Sequence, residues 1–295
     1  MHPAPSVIIF TTFSGLGFGL LFWLGLDPTP STYFSAFIWF AIAYVMAVGG
    51  LVASTFHLGH PERALKAFSQ WRSSWLSREG ICAVATLLIM AAYGAGLVFF
   101  GAHWQLLGLL GAVGAIATVF TTSMIYAQMN TVPRWKHWTT PALFLLLSIG
   151  GGALFAGNIR VAIPLLIIAA VLQAFAWFHG DGRFDASGTS IESATGLDFI
   201  GKVRAFEPPH TGTNYLMKEF IHVVGRSHAQ KLRIIALVLG FVLPVTVLLV
   251  PSNSSMTIHV FALIAVVSHV AGVLALRWLF FAQAEHVVGL YYGKR

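Results

Sequence analysis

The feature that most limits the folds open to this chain is a series of eight apolar stretches, each about 20 residues long, separated by polar breaks. A hydrocarbon core about 30 Å thick is crossed by about 20 residues of helix. Helices and closed barrels are the only structures that satisfy every backbone polar group inside lipid. The stretches lie near 6–26, 33–57, 80–101, 105–130, 139–157, 160–178, 232–251 and 257–281. The breaks carry turn chemistry, as in Asp27-Pro-Thr-Pro30 and Pro251-Ser-Asn-Ser-Ser255. Gly151, Gly152 and Pro164 fall inside apolar stretches, where membrane helices tolerate them. Only 9% of the 295 residues are charged, against about 25% in a soluble domain. The chain therefore reads as an all-α integral membrane protein, one polytopic domain over 1–295 with about eight transmembrane helices. No internal repeat is visible. The first stretch has neither a basic lead-in nor a small-residue cleavage site, so it reads as a retained helix.

An even number of crossings returns both termini to one side. That side also receives the loops 58–79, 131–138 and 179–231. They hold Arg63, Lys66, Arg72, Arg78, Arg134, Lys136, Arg183, Lys202, Arg204, Lys218, Arg226 and Lys231, with Arg233, Lys294 and Arg295 beside them. The opposite side receives Arg160 alone. Cationic loops stay cytoplasmic, so both termini are expected inside. The net charge of +7 is thus a topology signal and not a nucleic-acid surface. Within the long loop, 181–214 reads as irregular. Leu216, Phe220 and Val223 then recur at helical spacing between Lys218, Glu219 and Arg226, which predicts a short amphipathic helix at the membrane surface. A solvated connector is the plainer reading of the same loop. A docking face for a soluble partner is the functional one.

Polar groups near the membrane carry the chemical information, because burying charge there is costly. His57 closes the second span and Glu79 opens the third, so antiparallel packing brings them to one depth. A histidine and a carboxylate there can hydrogen-bond a quinone headgroup and move its protons. The alternative is that His57 caps its helix and Glu79 pairs with Arg78. Arg63 follows Pro61 in the loop, where contact with lipid headgroups is the default. Tyr126, Gln128 and Asn130 offer polar groups at the end of the fourth span. Trp135 and Trp138, with Arg134 and Lys136, fit an interfacial aromatic belt. On the eighth span, His269 falls near mid-membrane, and Arg277 either faces the interior or snorkels outward. Haem would need two facing axial ligands. His57 and His269 are the only intramembrane candidates and sit at different depths, so no haem is expected in this chain. The single cysteine, Cys82, cannot hold an iron–sulfur cluster.

Four segments together resemble the membrane anchor subunits of dimethyl sulfoxide reductase and its relatives. They are Ser54-Thr-Phe-His-Leu-Gly-His-Pro-Glu-Arg-Ala64, Leu76-Ser-Arg-Glu79, Asn130-Thr-Val-Pro133 with Trp135 and Thr140-Pro141, and Arg277-Trp-Leu-Phe-Phe281. The resemblance implies an eight-helix, haem-free, non-catalytic anchor in the bacterial inner membrane. It implies an iron–sulfur partner subunit and a catalytic partner carrying molybdopterin. It also implies a bound quinone, ubiquinone or menaquinone. His57 and Glu79 match the family's quinone-site positions, and Arg63 matches a family loop arginine. Tyr126 and Arg277 complete the expected quinone-binding set.

Two departures stand out. The 179–231 loop is longer than in the best-known anchors. The cationic loops also place the histidine-bearing face inside the cell, whereas those anchors carry it outside. That orientation resembles cytoplasm-facing relatives, among them anchors of quinone-reducing sulfite dehydrogenases. A quinol-oxidising dimethyl sulfoxide reductase anchor is the alternative. A transporter or a b-type cytochrome is more remote, since neither repeat symmetry nor a mid-span carboxylate is present.

Overall fold

The computed structural model describes residues 1–56, 60–207, 209–222 and 228–293, and only the backbone of 61–64. Among these residues the chain is helical and has no strands. Eight apolar helices carry the fold: α1 (Pro5–Leu26), α2 (Tyr33–Thr55), α3 (Trp75–Phe100), α4 (Gln105–Ala127), α5 (Thr139–Phe155), α6 (Ile159–Gly180), α7 (Ala229–Leu249) and α8 (Ser255–Ala282). Seven of them are long and apolar enough to cross a membrane; α5, at 17 residues, is shorter. A helix is present at each of the eight expected positions, seven of them candidate spans, with boundaries displaced by up to five residues.

Local chemistry sets the ends. Pro5 opens α1, where a missing N–H is harmless. Asp27 precedes Pro28 and is forced extended, which stops α1, and its Oδ1 accepts from Thr29 N at 2.9 Å. Ser74 caps α3 by accepting from Ser77 N, and Gly101 ends the helix in the left-handed region at φ 60°. Ser254 caps α8 by accepting from Thr257 N.

The central helix is α1, 61% buried along its span against 22% for α6 and α7. It packs on α2, α4, α5 and α8. Small residues allow the close approach: a Cβ on Gly19 would overlap the backbone of Ser148 on α5, and one on Gly17 would lie 2.4 Å from Ala47 N on α2. The perimeter is apolar. Phe34, Val45, Leu88, Leu106, Val171 and Val267 all face outward, as a lipid-facing surface requires and a water-facing one does not tolerate.

In α7 the regular ladder is interrupted. Residues Val238–Val242 form a π turn, and Leu243 N reaches back five residues to the carbonyl of Val238. Pro244 has no N–H to donate. The carbonyls of Leu239 and Gly240 are taken instead by α8: Ser268 Oγ donates to the first at 2.7 Å, and His269 Nδ1 to the second at 2.7 Å.

The N-terminus and the segment that follows α8 lie at one end of the bundle. The Met1 amine donates to Ala284 O at 2.6 Å, and His2 N donates to Glu219 O at 2.8 Å. The long loop holds short helices at Arg183–Ala186, Ile191–Thr195 and Tyr215–Phe220. The expected amphipathic helix is therefore only six residues long and ends at the extended Ile221; Val223 and Arg226 lie outside the described residues. One of its carbonyls is engaged by the N-terminus, and Phe220 packs on His286 with ring centroids 4.6 Å apart. The segment docks on the chain's own termini.

Candidate functional site

The segment before α3 aims Glu79 into the bundle. Ser77 Oγ donates to Ala67 O, which ties the helix start to the preceding 3-10 helix Pro61–Phe68. Arg78 turns outward. It stacks on Trp75 at 4.3 Å and donates to the carbonyls of Trp71 (2.9 Å) and Arg72 (2.7 Å). The alternative pairing of Arg78 with Glu79 is thus overturned: the two side chains leave α3 on different faces.

Glu79 is 4% exposed. Thr122 Oγ1 on α4 lies 2.6 Å from its Oε1 and also 2.9 Å from the carbonyl of Thr118. The hydroxyl has one proton and two acceptors. It donates to Glu79 when that group is ionised, and accepts from it and donates to Thr118 when it is protonated. Thr118 in turn lies 3.3 Å from Thr86 across the α3–α4 contact. Sequence reasoning singles out Glu79 but misses Thr122. The only available signal is the polar run Thr121-Thr122-Ser123 inside an apolar helix.

One turn further along α4, Tyr126 is buried among Trp135, Phe144, Phe280 and Phe281, with ring centroids 5.3 to 5.7 Å away. Trp135 corrects the belt reading. It is 2% exposed and donates from Nε1 to Phe280 O at 3.0 Å, because the 131–138 loop folds back over the helix ends. Trp138 remains at the surface. Tyr126 packs on Phe144, whose ring carries Arg277, and lies one turn beyond Thr122, the partner of Glu79.

Arg277 settles the choice between interior and snorkelling. It is 4% exposed, with its guanidinium 3.6 Å over the Phe144 ring. Nε is buried without a hydrogen-bond partner, and no carboxylate among the described residues pairs with it. His269 is fully buried between α7 and α5; a Cβ on Gly151 would come within 2.8 Å of its Nε2. His57 and the Arg63 side chain lie outside the described residues. The structure thus brings Glu79, Tyr126 and Arg277 into one buried row.

A charge cluster not anticipated from sequence closes the same end of the bundle. Asp181, just past α6, receives Arg233 of α7 through two hydrogen bonds, 2.6 and 2.8 Å, and Arg134 through a third, 2.6 Å. Burial pushes its carboxyl up, but the two guanidinium groups outweigh that and hold it below the usual carboxylate range.

Matches to known proteins accompany this helical order. The DMSO reductase anchor subunit family, DmsC, matches residues 1–283. The chain belongs to this family. It is also 32% identical to the C subunit of sulfite dehydrogenase from Allochromatium vinosum, over 99% of both chains. No solved structure matches. This DMSO reductase-type anchor is therefore a multi-pass membrane component of a DMSO reductase-family enzyme.

Proposed function

We propose that this anchor holds a quinone at the α2–α3 end of the bundle and exchanges electrons between the quinone pool and an iron–sulfur partner subunit. That partner would pass them to or from a molybdopterin-bearing catalytic chain. The observation that carries this reading is Glu79. A carboxylate is buried among apolar helices, and its hydrogen-bond partner, Thr122, suits both of its protonation states. A quinone couples two electrons to two protons, so its site needs a group that can gain and lose a proton without rearrangement. Glu79 would take or give one proton at Oε1, with His57 as the second proton group and Arg63 as a further cation. Tyr126 and Arg277 extend the row behind Glu79. The first is enclosed by aromatic rings and the second lines a separate pocket, so neither is assigned contact with the quinone ring.

The favoured subtype is a quinone-reducing sulfite dehydrogenase anchor. Its support is the similarity to the C subunit of a sulfite dehydrogenase and the placement of positive charge at the end that carries Glu79 and the N-terminus. In this reading the face is cytoplasmic, the membrane is the bacterial inner membrane, and electrons run toward the quinone.

The test is turnover of the intact complex with a water-soluble quinone analogue and, separately, with an artificial dye. His57→Ala and Glu79→Gln should each lower quinone-coupled turnover at least tenfold and leave dye activity unchanged. Normal quinone kinetics in both variants would remove the site from this end of the bundle.

A further inference from the structure

Arg277 lines a separate pocket between α5, α6 and α8, with a cavity volume of about 50 Å³. The polar wall is Arg277, Arg134, Gln173, Thr139, Thr140 and Gln283. Much of it is already engaged. Thr140 Oγ1 donates to Trp135 O, Thr139 Oγ1 meets His137 Nδ1, and Arg134 donates to Asp181. The amide of Gln283, oriented to suit its neighbour, accepts from Arg233. Arg277 and Gln173 remain, the first with an unpartnered Nε. Both are at least nine-tenths buried. A buried cation without a counter-charge is costly, and the nearby carboxylate, Asp181, is held by two other arginines.

We propose that this pocket binds an anionic oxygen group of the phosphate type, with Arg277 supplying the charge and Gln173 an amide donor. The inference is independent of the quinone reading. Depth points to the source. Thr139 is the first residue of α5, Gln283 follows the last residue of α8, and Arg277 lies five residues before the end of α8. At 1.5 Å per residue, the site runs from the helix ends to about 8 Å inside, the depth of a phospholipid headgroup and its glycerol linkage. A free oxyanion presents the same chemistry.

The test uses the whole complex and follows the apparent unfolding midpoint of this chain, which a ligand of the native state raises saturably. One arm titrates inorganic phosphate against choline chloride at equal ionic strength. The other compares nanodiscs of phosphatidylcholine with nanodiscs containing increasing phosphatidylglycerol. The wild type should show a saturable rise in at least one arm. A response to phosphatidylglycerol alone assigns the site to a lipid headgroup, and a response to phosphate assigns it to a free oxyanion. Arg277→Gln should need at least tenfold more of the active probe, and Gln173→Leu, which keeps the cation, severalfold more. If Arg277→Gln does not assemble, Gln173→Leu decides. Absence of a saturable rise in the wild type, or unchanged affinity in Gln173→Leu, overturns the proposal.

Discussion

Thr122 is the residue on which the proton-handling argument is most exposed to experiment. Its hydroxyl stands between Glu79 and the carbonyl of Thr118, and as both donor and acceptor it can serve both protonation states of the acid. Thr122→Val keeps the shape and removes the hydrogen bond. It should lower quinone-coupled turnover about tenfold, while Thr122→Ser stays within twofold of wild type and dye activity is constant in both. Equal turnover in Val and Ser variants would mean that Glu79 needs no relay. At this scale sequence legibility is uneven. Glu79 stands out because a carboxylate among apolar spans needs a reason. Thr122 does not, since a threonine in any membrane helix can bond back to its own i−4 carbonyl. Trp135 misleads because two tryptophans next to two cations look interfacial until the chain is seen to fold over them. For Arg277, a position near a helix end permits two directions, and only packing against Phe144 chooses one.

At the level of elements, lengths and ends are legible in the residues and irregularities are not. Apolar runs and the proline-bearing polar breaks locate all eight helices to within five residues. The π turn in α7 stays hidden, because it depends on side chains of another helix. Pro244 withholds one N–H, and Ser268 and His269 capture the carbonyls left over. His269→Leu should strand the Gly240 carbonyl in an apolar setting, at a cost of about 1–3 kcal/mol, and lower the apparent unfolding midpoint by several degrees. Pro244→Ala restores the missing donor. In that background the His269→Leu penalty should shrink, and a full double-mutant cycle measures the coupling. Additive losses would show that the two groups are unconnected. The Asp181 cluster joins α6, α7 and the 131–138 loop. Its carboxyl is held low by Arg233 and Arg134 against the opposing effect of burial. A depressed native pKa gives stability that is present above the unfolded value, about 3.9, and is lost as pH falls through the lower native one. Asp181→Asn should therefore be less stable than wild type by about 1 kcal/mol at neutral pH, a small figure because the carboxylate is half exposed. The gap in midpoint should persist down to about pH 4 and close below it.

For the whole molecule, the decisive quantity is which way the bundle sits in its bilayer, since that fixes where partner subunits meet it. The fold puts the N-terminus, the segment after α8, Arg134, Arg183, Arg233 and the start of α3 at one end; Met1 reaches Ala284, and Arg183 reaches the carbonyl of Lys136. Of the described lysines and arginines, the other end receives Arg160 alone. Short loops weigh most in orientation, and the 58–79 and 131–138 loops alone hold six cations: Arg63, Lys66, Arg72, Arg78, Arg134 and Lys136. The charge bias toward a cytoplasmic Glu79 face thus persists without the long loop. A fluorescent protein fused after Arg295 should fold and fluoresce, and alkaline phosphatase at the same position should be inactive. Fusions after Asn253, in the turn between α7 and α8, should show the reverse. Two positions are used because α8 alone separates them, so each reporter checks the other. Phosphatase activity after Arg295 with fluorescence after Asn253 would invert the bundle. It would place the catalytic partner outside the cytoplasm and replace the sulfite-oxidising reading with the quinol-oxidising one, leaving the family and the Glu79–Thr122 pair untouched.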